Sequence, residues 1–315
     1  MLFATVGLAQ SPDLTVNQIA QKANSGDAMA RAKLGYLFAH GQGVPRDEAK
    51  AVAWYQKSAF QGNALAQFEL GFMLAHGRGV AQDLVKAVEW YRKAALQGNA
   101  LAQFELGYMY ANGRGVLKDD TQAVEWFQKA ADQGNAFAQF HLGFMVALGR
   151  GVSQDDALAV AWYQKAALQQ DGLAQFYLGF MYKYGRGVAK DDAQAVAWFQ
   201  KAADQGNATA EFSLGFMYAL GQGIAKDDAK AAEWFQKAAI QGVTLAQLEL
   251  GTRYASGTGV PKDEARAYAW LSLARVGGNS DAAKLTDEMD HRLSAEIKAE
   301  AQKLLVEFSG QIQNK

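Results

Sequence analysis

The side chains best suited to chemistry are four histidines, His40, His76, His141 and His291, and a row of aspartates. His40 and His76 stand 36 residues apart at matching places in the chain. Two imidazoles can begin a metal site, but zinc needs three or four protein ligands and no third accompanies this pair. The aspartates, Asp47, Asp83, Asp119, Asp155, Asp191, Asp227 and Asp263, recur at the same interval. One carboxylate per 36 residues cannot chelate an ion; each is placed to cap the helix that follows it, accepting its free N–H groups. No Gly-Lys-Ser/Thr phosphate loop and no Gly-x-Ser-x-Gly elbow occurs. Catalytic, cofactor-binding and metal-ligating residues are therefore all expected to be none. Arg78, Arg114, Arg150 and Arg186, each between two glycines, form a basic row read as solvated loop tips, with an acid-binding strip as the alternative.

The elements behind these residues follow from a ruler of tryptophans. Trp54, Trp90, Trp126, Trp162, Trp198, Trp234 and Trp270 are spaced by 36, and there are no others. A fixed period of 20 to 50 residues marks a repeat architecture, in which length grows by adding units rather than by enlarging one core. Only three prolines, with abundant Ala, Gln, Leu and Lys, point to helix almost throughout. A net charge of −1 leaves no electrostatic case for nucleic acid or an anionic membrane, and the absence of cysteine excludes disulfides and thiolate zinc sites. No stretch is long and apolar enough to span a bilayer.

Each unit reads as helix A, a loop, helix B and a tight turn. Helix A carries Leu-Gly, at Leu34-Gly35 and at every 36th residue to Leu250-Gly251. A mid-helix glycine costs about 1 kcal/mol against alanine, so its recurrence implies a neighbour too close for a side chain. A Gly-x-Gly pair six residues later ends the helix and reverses the chain. Helix B holds the tryptophan on an apolar face, as in Ala195, Val196, Trp198, Phe199, Ala202 and Ala203, with Gln200 and Lys201 towards water. Gln170 interrupts the pattern where Gly62, Gly98, Gly134 and Gly206 stand elsewhere.

The ends differ from the repeats. Residues 1–12 read either as the remnant of a secretory signal, with Leu2 to Ala9 its apolar part, or as an apolar tail. The first alternative places the protein in the periplasm or outside the cell, the second in the cytoplasm. Residues 13–27 form an N-terminal half-unit capped by Asp13, residues 28–278 the repeats, residues 279–308 two capping helices, and residues 309–315 a frayed tail. Residues 13–308 are expected to be one domain.

The run Ala-x-x-Trp-[Tyr/Phe]-x-Lys-Ala-Ala-x-Gln-Gly-Asn, then Leu-Gly-x-Met-Tyr and Gly-x-Gly-Val-x-x-Asp, resembles the Sel1-like repeat, a relative of the tetratricopeptide repeat. The resemblance spans about residues 28–278. It implies an all-α fold, a right-handed α-solenoid superhelix of antiparallel helix pairs with the A helices on the concave side. It also implies a scaffold or adaptor role. Some bacterial members are disulfide-stapled and linked to β-lactam binding, a subgroup that a chain without cysteine matches poorly.

Helix A has a second apolar face. Ala66, Leu70 and Leu74 lie on one side, Phe68 and Phe72 on the other, and the second face recurs as Phe104 with Tyr108, Phe140 with Phe144, Phe176 with Phe180, and Phe212 with Phe216. Such a face is either packed between successive A helices or presented to a partner. Lys183 replaces the alanine found at that position in the other repeats; Tyr184 adjoins it, Tyr177 lies a turn back, and His141 holds the Tyr177 position one repeat earlier. Rings beside one cation suit a protein or extended peptide with an acidic or C-terminal carboxylate group. The expectation is a monomeric scaffold without cofactor; a cell-wall-related hydrolase and a structural spacer stay open as alternatives.

Overall fold

The computed structural model describes residues 14–313, which hold 17 helices and no strand. They form two compact units, with the boundary between Trp162 and Tyr163. In the first unit α1 (Val16–Asn24) precedes the pairs α2 (Ala28–His40) with α3 (Glu48–Ala59), α4 (Ala64–His76) with α5 (Leu84–Leu96), and α6 (Ala100–Asn112) with α7 (Asp120–Asp132). Then comes α8 (Ala136–Leu148). The boundary falls inside α9 (Asp156–Leu168). The second unit pairs α10 (Gly172–Tyr184) with α11 (Asp192–Asp204), α12 (Ala208–Leu220) with α13 (Asp228–Ile240), and α14 (Thr244–Ser256) with α15 (Glu264–Val276). It ends with α16 (Ser280–Arg292) and α17 (Ala295–Gln313), both packed on α15.

The caps follow the sequence pattern. Asp47, Asp83 and Asp119 each accept the backbone N–H three residues on, and so does Asp155, whose Oδ1 lies 2.9 Å from the Leu158 nitrogen. Asp191, Asp227 and Asp263 cap the B helices of the second unit. Asp13 lies outside the described residues. The first helix is capped by Thr15, whose hydroxyl accepts from the Gln18 N–H while the Gln18 side chain reaches back to the cap.

The Leu-Gly glycine marks the tightest approach within each pair. A Cβ on Gly107 would stand 2.7 Å from the Phe127 ring, the residue after Trp126 in α7. The same aromatic position faces Gly35, Gly71, Gly179 and Gly215. These rings, Tyr55, Tyr91, Phe127, Phe199 and Phe235, are among the largest fully buried side chains of the helix pairs.

The tryptophans, one residue earlier, are slightly more exposed, as Trp126 is at 7% against 1% for Phe127. Lys57, Lys93, Lys129, Lys201 and Lys237 each lie over the ring three residues earlier, at 3.7–4.4 Å from its centroid. The lysine side chain thus covers the outer ring face and keeps its charge in water. In the last repeat Leu273 stands in that lysine's place, and Phe308 of α17 stacks on Trp270 at 4.2 Å. That anchor, with Ile312 beside the turn at Gly242, carries α17 through Gln313, so residues 309–313 are helical rather than frayed.

A buried glutamine column joins successive pairs. Gln103 donates to the Ala95 carbonyl at 3.0 Å, and its Oε1 accepts from Gln133 at 2.7 Å. Gln67 with Ala59 and Gln97, and Gln175 with Ala167 and Gln205, repeat the arrangement. Each buried amide is thereby satisfied on both sides, which a buried polar group requires.

Gln170 has φ +66°, the left-handed conformation its glycine counterparts adopt. For a residue with a Cβ this costs roughly 1–2 kcal/mol, against about 0.5–1 kcal/mol of extra chain entropy for glycine. Gln170→Gly is expected to raise stability by about 0.5–1 kcal/mol, read as a higher urea midpoint. An unchanged or lower midpoint would mean that the Gln170 side chain contributes more than its strain costs.

Candidate functional site

The A helices present the candidate site. All but α14, which begins at Val243, start at an Asn or Asp cap such as Asn63 or Asp171, and each ends at a left-handed glycine such as Gly77 or Gly185. Ala66, Leu70 and Met73 of α4, with their counterparts, are buried towards helix B. The other side splits into two columns with different surroundings.

The first column is largely packing. Phe68 and Phe140 are buried, at 3% and 6% exposure. Phe68 faces the ring of Tyr91 at 5.8 Å, Phe104 that of Phe127 at 5.9 Å, Phe176 that of Phe199 at 5.7 Å, and Phe212 that of Phe235 at 5.8 Å. Phe104, Phe176 and Phe212 remain half-buried. The second column is Phe72, Tyr108, Phe144, Phe180 and Phe216, all half-buried. Phe212 and Phe216 meet edge to face at 4.9 Å. Apolar side chains at either end of the same helices stand in water: Phe137, Leu148, Leu173, Leu220 and Leu245.

Lys183 and Tyr184 come together, with the ammonium 5.4 Å from the ring centroid, and Phe180 lies 4.5 Å from the Tyr184 ring. Tyr184 is 57% exposed. Tyr177 stacks on Tyr163 at 5.6 Å and meets Phe176 edge-on. His141 makes the corresponding contact in the first unit, stacking on Phe127 at 5.3 Å. Burial there pushes its imidazole down to about 4, so the ring is neutral at pH 7.

His40 and His76 do not pair with each other. Each Nδ1 lies 2.9 Å from the carbonyl oxygen four residues back, of Tyr36 and Phe72 respectively, and each ring packs against that same side chain. Among the described residues no group of three His, Asp or Glu side chains gathers as metal ligands. None of the helices there is long and apolar enough to cross a membrane.

The arginine row is neither a set of free loop tips nor a continuous strip. Arg78 reaches Glu48 at 2.6 Å and Arg150 reaches Asp120 at 2.6 Å, each acid opening helix B of the preceding repeat. The reason is steric. The second glycine of the loop lies flush on that helix start, as Gly79 does on Glu48 and Gly151 on Asp120, which brings the arginine within reach.

Carboxyl groups on helix A, one position after the first ring, are the functional candidates that sequence patterning misses. Burial raises Glu69 to about 7, with Arg78 acting against it. Burial also raises Glu105, against the charges of His76 and Arg114. An acid set between Phe68 and Leu70 in an otherwise apolar helix is the signal that could have found them. Beside Glu105 a cavity of about 280 Å³ opens, lined by His76, Phe104, Tyr108 and Arg114.

Paired helices in register, with half-exposed rings along one helix of each pair, define a repeat scaffold of the protein-interaction kind. The Sel1 repeat model matches residues 28–63, 64–99, 100–135, 136–171, 172–207, 208–243 and 244–275, and the chain belongs to the Sel1 repeat family. A Sel1 repeat protein from Oxalobacter formigenes is 38% identical over 87% of this chain and 79% of its own, with a TM-score of 0.71. The protective antigen c5321 of uropathogenic Escherichia coli, described as displaying an SLR fold, is 27% identical over 95% of both chains, with a TM-score of 0.48. Cysteine-rich protein B of Helicobacter pylori is 26% identical over 41% of this chain and 92% of its own, with a TM-score of 0.34. No curated protein matches the chain.

Proposed function

We propose that the protein is a non-enzymatic scaffold that receives a protein or extended peptide segment on its A-helix face. The observation that carries this reading is the exposed end of α10. There Phe180, Lys183 and Tyr184 form one ring-and-cation cluster on a helix whose other end leaves Leu173 in water. Rings of this kind supply large contact area at small entropic cost, and a lysine beside them adds selectivity for acidic groups. Catalysis is not part of the proposal: Glu69 has Arg78 as its charged neighbour, and Glu105 has His76 and Arg114, with no nucleophile among them.

The test is site-specific photo-crosslinking in the cells the protein comes from. A photoreactive phenylalanine analogue at Tyr184 is expected to capture a discrete protein, and Phe180→Ala in the same chain to reduce that product tenfold or more with helicity unchanged. The same analogue at Gln164, on the water-facing side of α9, serves as the control. Equal capture at both positions would dismiss the scaffold reading.

A further inference from the structure

The arginine row contains one mismatch. Arg78 and Arg150 are held by Glu48 and Asp120, but the residue 30 before Arg114 is Leu84. Gly115 lies flush on Leu84 as Gly79 does on Glu48, so the loop docks in the same way and only the carboxylate is missing. Arg114 is accordingly exposed where Arg78, Arg150 and Arg186 are half-buried, and its side chain makes no hydrogen bond or ion pair among the described residues. It lines the 280 Å³ cavity with His76, Phe104, Glu105 and Tyr108. That volume is just below the range for small-ligand pockets, roughly 300–1,000 Å³, and holds about one residue rather than a cofactor.

The polar groups set the chemistry of the occupant. A guanidinium takes a carboxylate as a planar fork. His76 stands on the same wall, its Nδ1 committed to the Phe72 carbonyl. Glu105 is an acceptor on the same wall, so a bare anion would face it unfavourably, whereas a carboxylate with an adjacent N–H would satisfy it. The Phe104 and Tyr108 rings, 6.4 Å apart, leave an apolar wall for a side chain.

We propose that this cavity is a subsite for a carboxylate flanked by an N–H donor and an apolar side chain, with Arg114 binding the carboxylate, Glu105 the N–H, and Phe104 and Tyr108 the side chain. That pattern belongs to the C-terminal residue of a polypeptide and to a free N-acylated amino acid. The subsite rests on the A-helix face being a partner surface; its residues belong to the first unit and those of the Tyr184 cluster to the second.

Calorimetric titration of the full chain uses three probes: N-acetyl-phenylalanine, its C-terminal amide, and acetyl-Ala-Ala-Ala-Phe with a free terminus. Both acids are expected to bind, and the amide at least tenfold more weakly. Arg114→Gln is expected to lose tenfold or more. Leu84→Glu gives Arg114 the partner its counterparts have, and is expected to lose as much affinity while the thermal midpoint holds or rises. A tetrapeptide tighter than N-acetyl-phenylalanine assigns the site to a protein terminus, and equal affinity to a small acid. No binding of either acid, amide binding equal to acid binding, or unchanged affinity in Leu84→Glu would each overturn the subsite. Those failures, with Tyr184 crosslinking retained, leave the scaffold reading standing.

Discussion

Phe127→Ala is expected to lower stability by about 3–5 kcal/mol, the range for an enclosed phenylalanine whose cavity cannot collapse. The ring is 1% exposed and joins three helices. It covers Gly107 of α6 from its own position in α7, lies 5.9 Å from Phe104, and stacks on His141 of α8 at 5.3 Å. Because Gly107 has no side chain to move into the space, the cavity stays open unless α6 and α7 close on each other. Phe127→Leu should retain most of the stability, since Leu271 fills the matching place against Gly251. In a repeat array the damage spreads to nearest neighbours rather than to the whole chain, so hydrogen exchange is expected to rise first in α6, α7 and α8. A loss below about 1 kcal/mol in urea unfolding would mean that the ring is not the lock between these helices.

The repeat made much of this packing readable in advance. Every residue required by a cap, a left-handed turn or a close helix approach is displayed up to seven times in register, so the sequence alone assigns Asp119, Gly113 and Gly107 a physical role. Contacts joining one repeat to the next were not legible in that way. Arg150 reaches Asp120, and Gln103 the Ala95 carbonyl, so the partners belong to different repeats and occupy different positions in them. The lysine over the tryptophan, as in Lys129 over Trp126, is local in sequence, yet its role depends on the outer ring face being open, which only the packing decides.

The site was legible as a face but not as two columns. Phe68 and Phe72 lie about 40° apart on a helical projection, and nothing in their spacing separates them. The separation comes from helix B, whose aromatic at Tyr91 lies against the first ring and leaves the second outside. The significance of Arg114 was hidden for a related reason. It repeats the family pattern faithfully, and the departure is at Leu84, 30 residues earlier, where a leucine at a helix start draws no notice.

Glu69→Gln is expected to stabilise the protein increasingly as pH rises from about 4.5 to about 8. The residue as a whole is half-buried, but its carboxyl lies beneath neighbours, and burial raises its pKa from 4.5 to about 7. Below pH 4.5 the carboxyl is protonated in the folded and unfolded chains alike. Between 4.5 and 7 the unfolded chain loses this proton first, so stability falls with rising pH. The total is on the order of 3 kcal/mol, because each pH unit between the unfolded and folded pKa values is worth about 1.4 kcal/mol. His141 works in the opposite direction. Its folded value of about 4 lies below the ordinary 6.5, so its contribution is complete above pH 6.5 and is lost as pH falls. The two slopes oppose each other between about 4.5 and 6.5, and the wild-type profile there understates both. Subtracting wild-type from variant stability isolates Glu69, because His141 is common to both chains. The difference is expected to be near zero at pH 4.5 apart from a constant offset, and to grow by about 2–3 kcal/mol by pH 8. A difference independent of pH would place the Glu69 carboxyl in water.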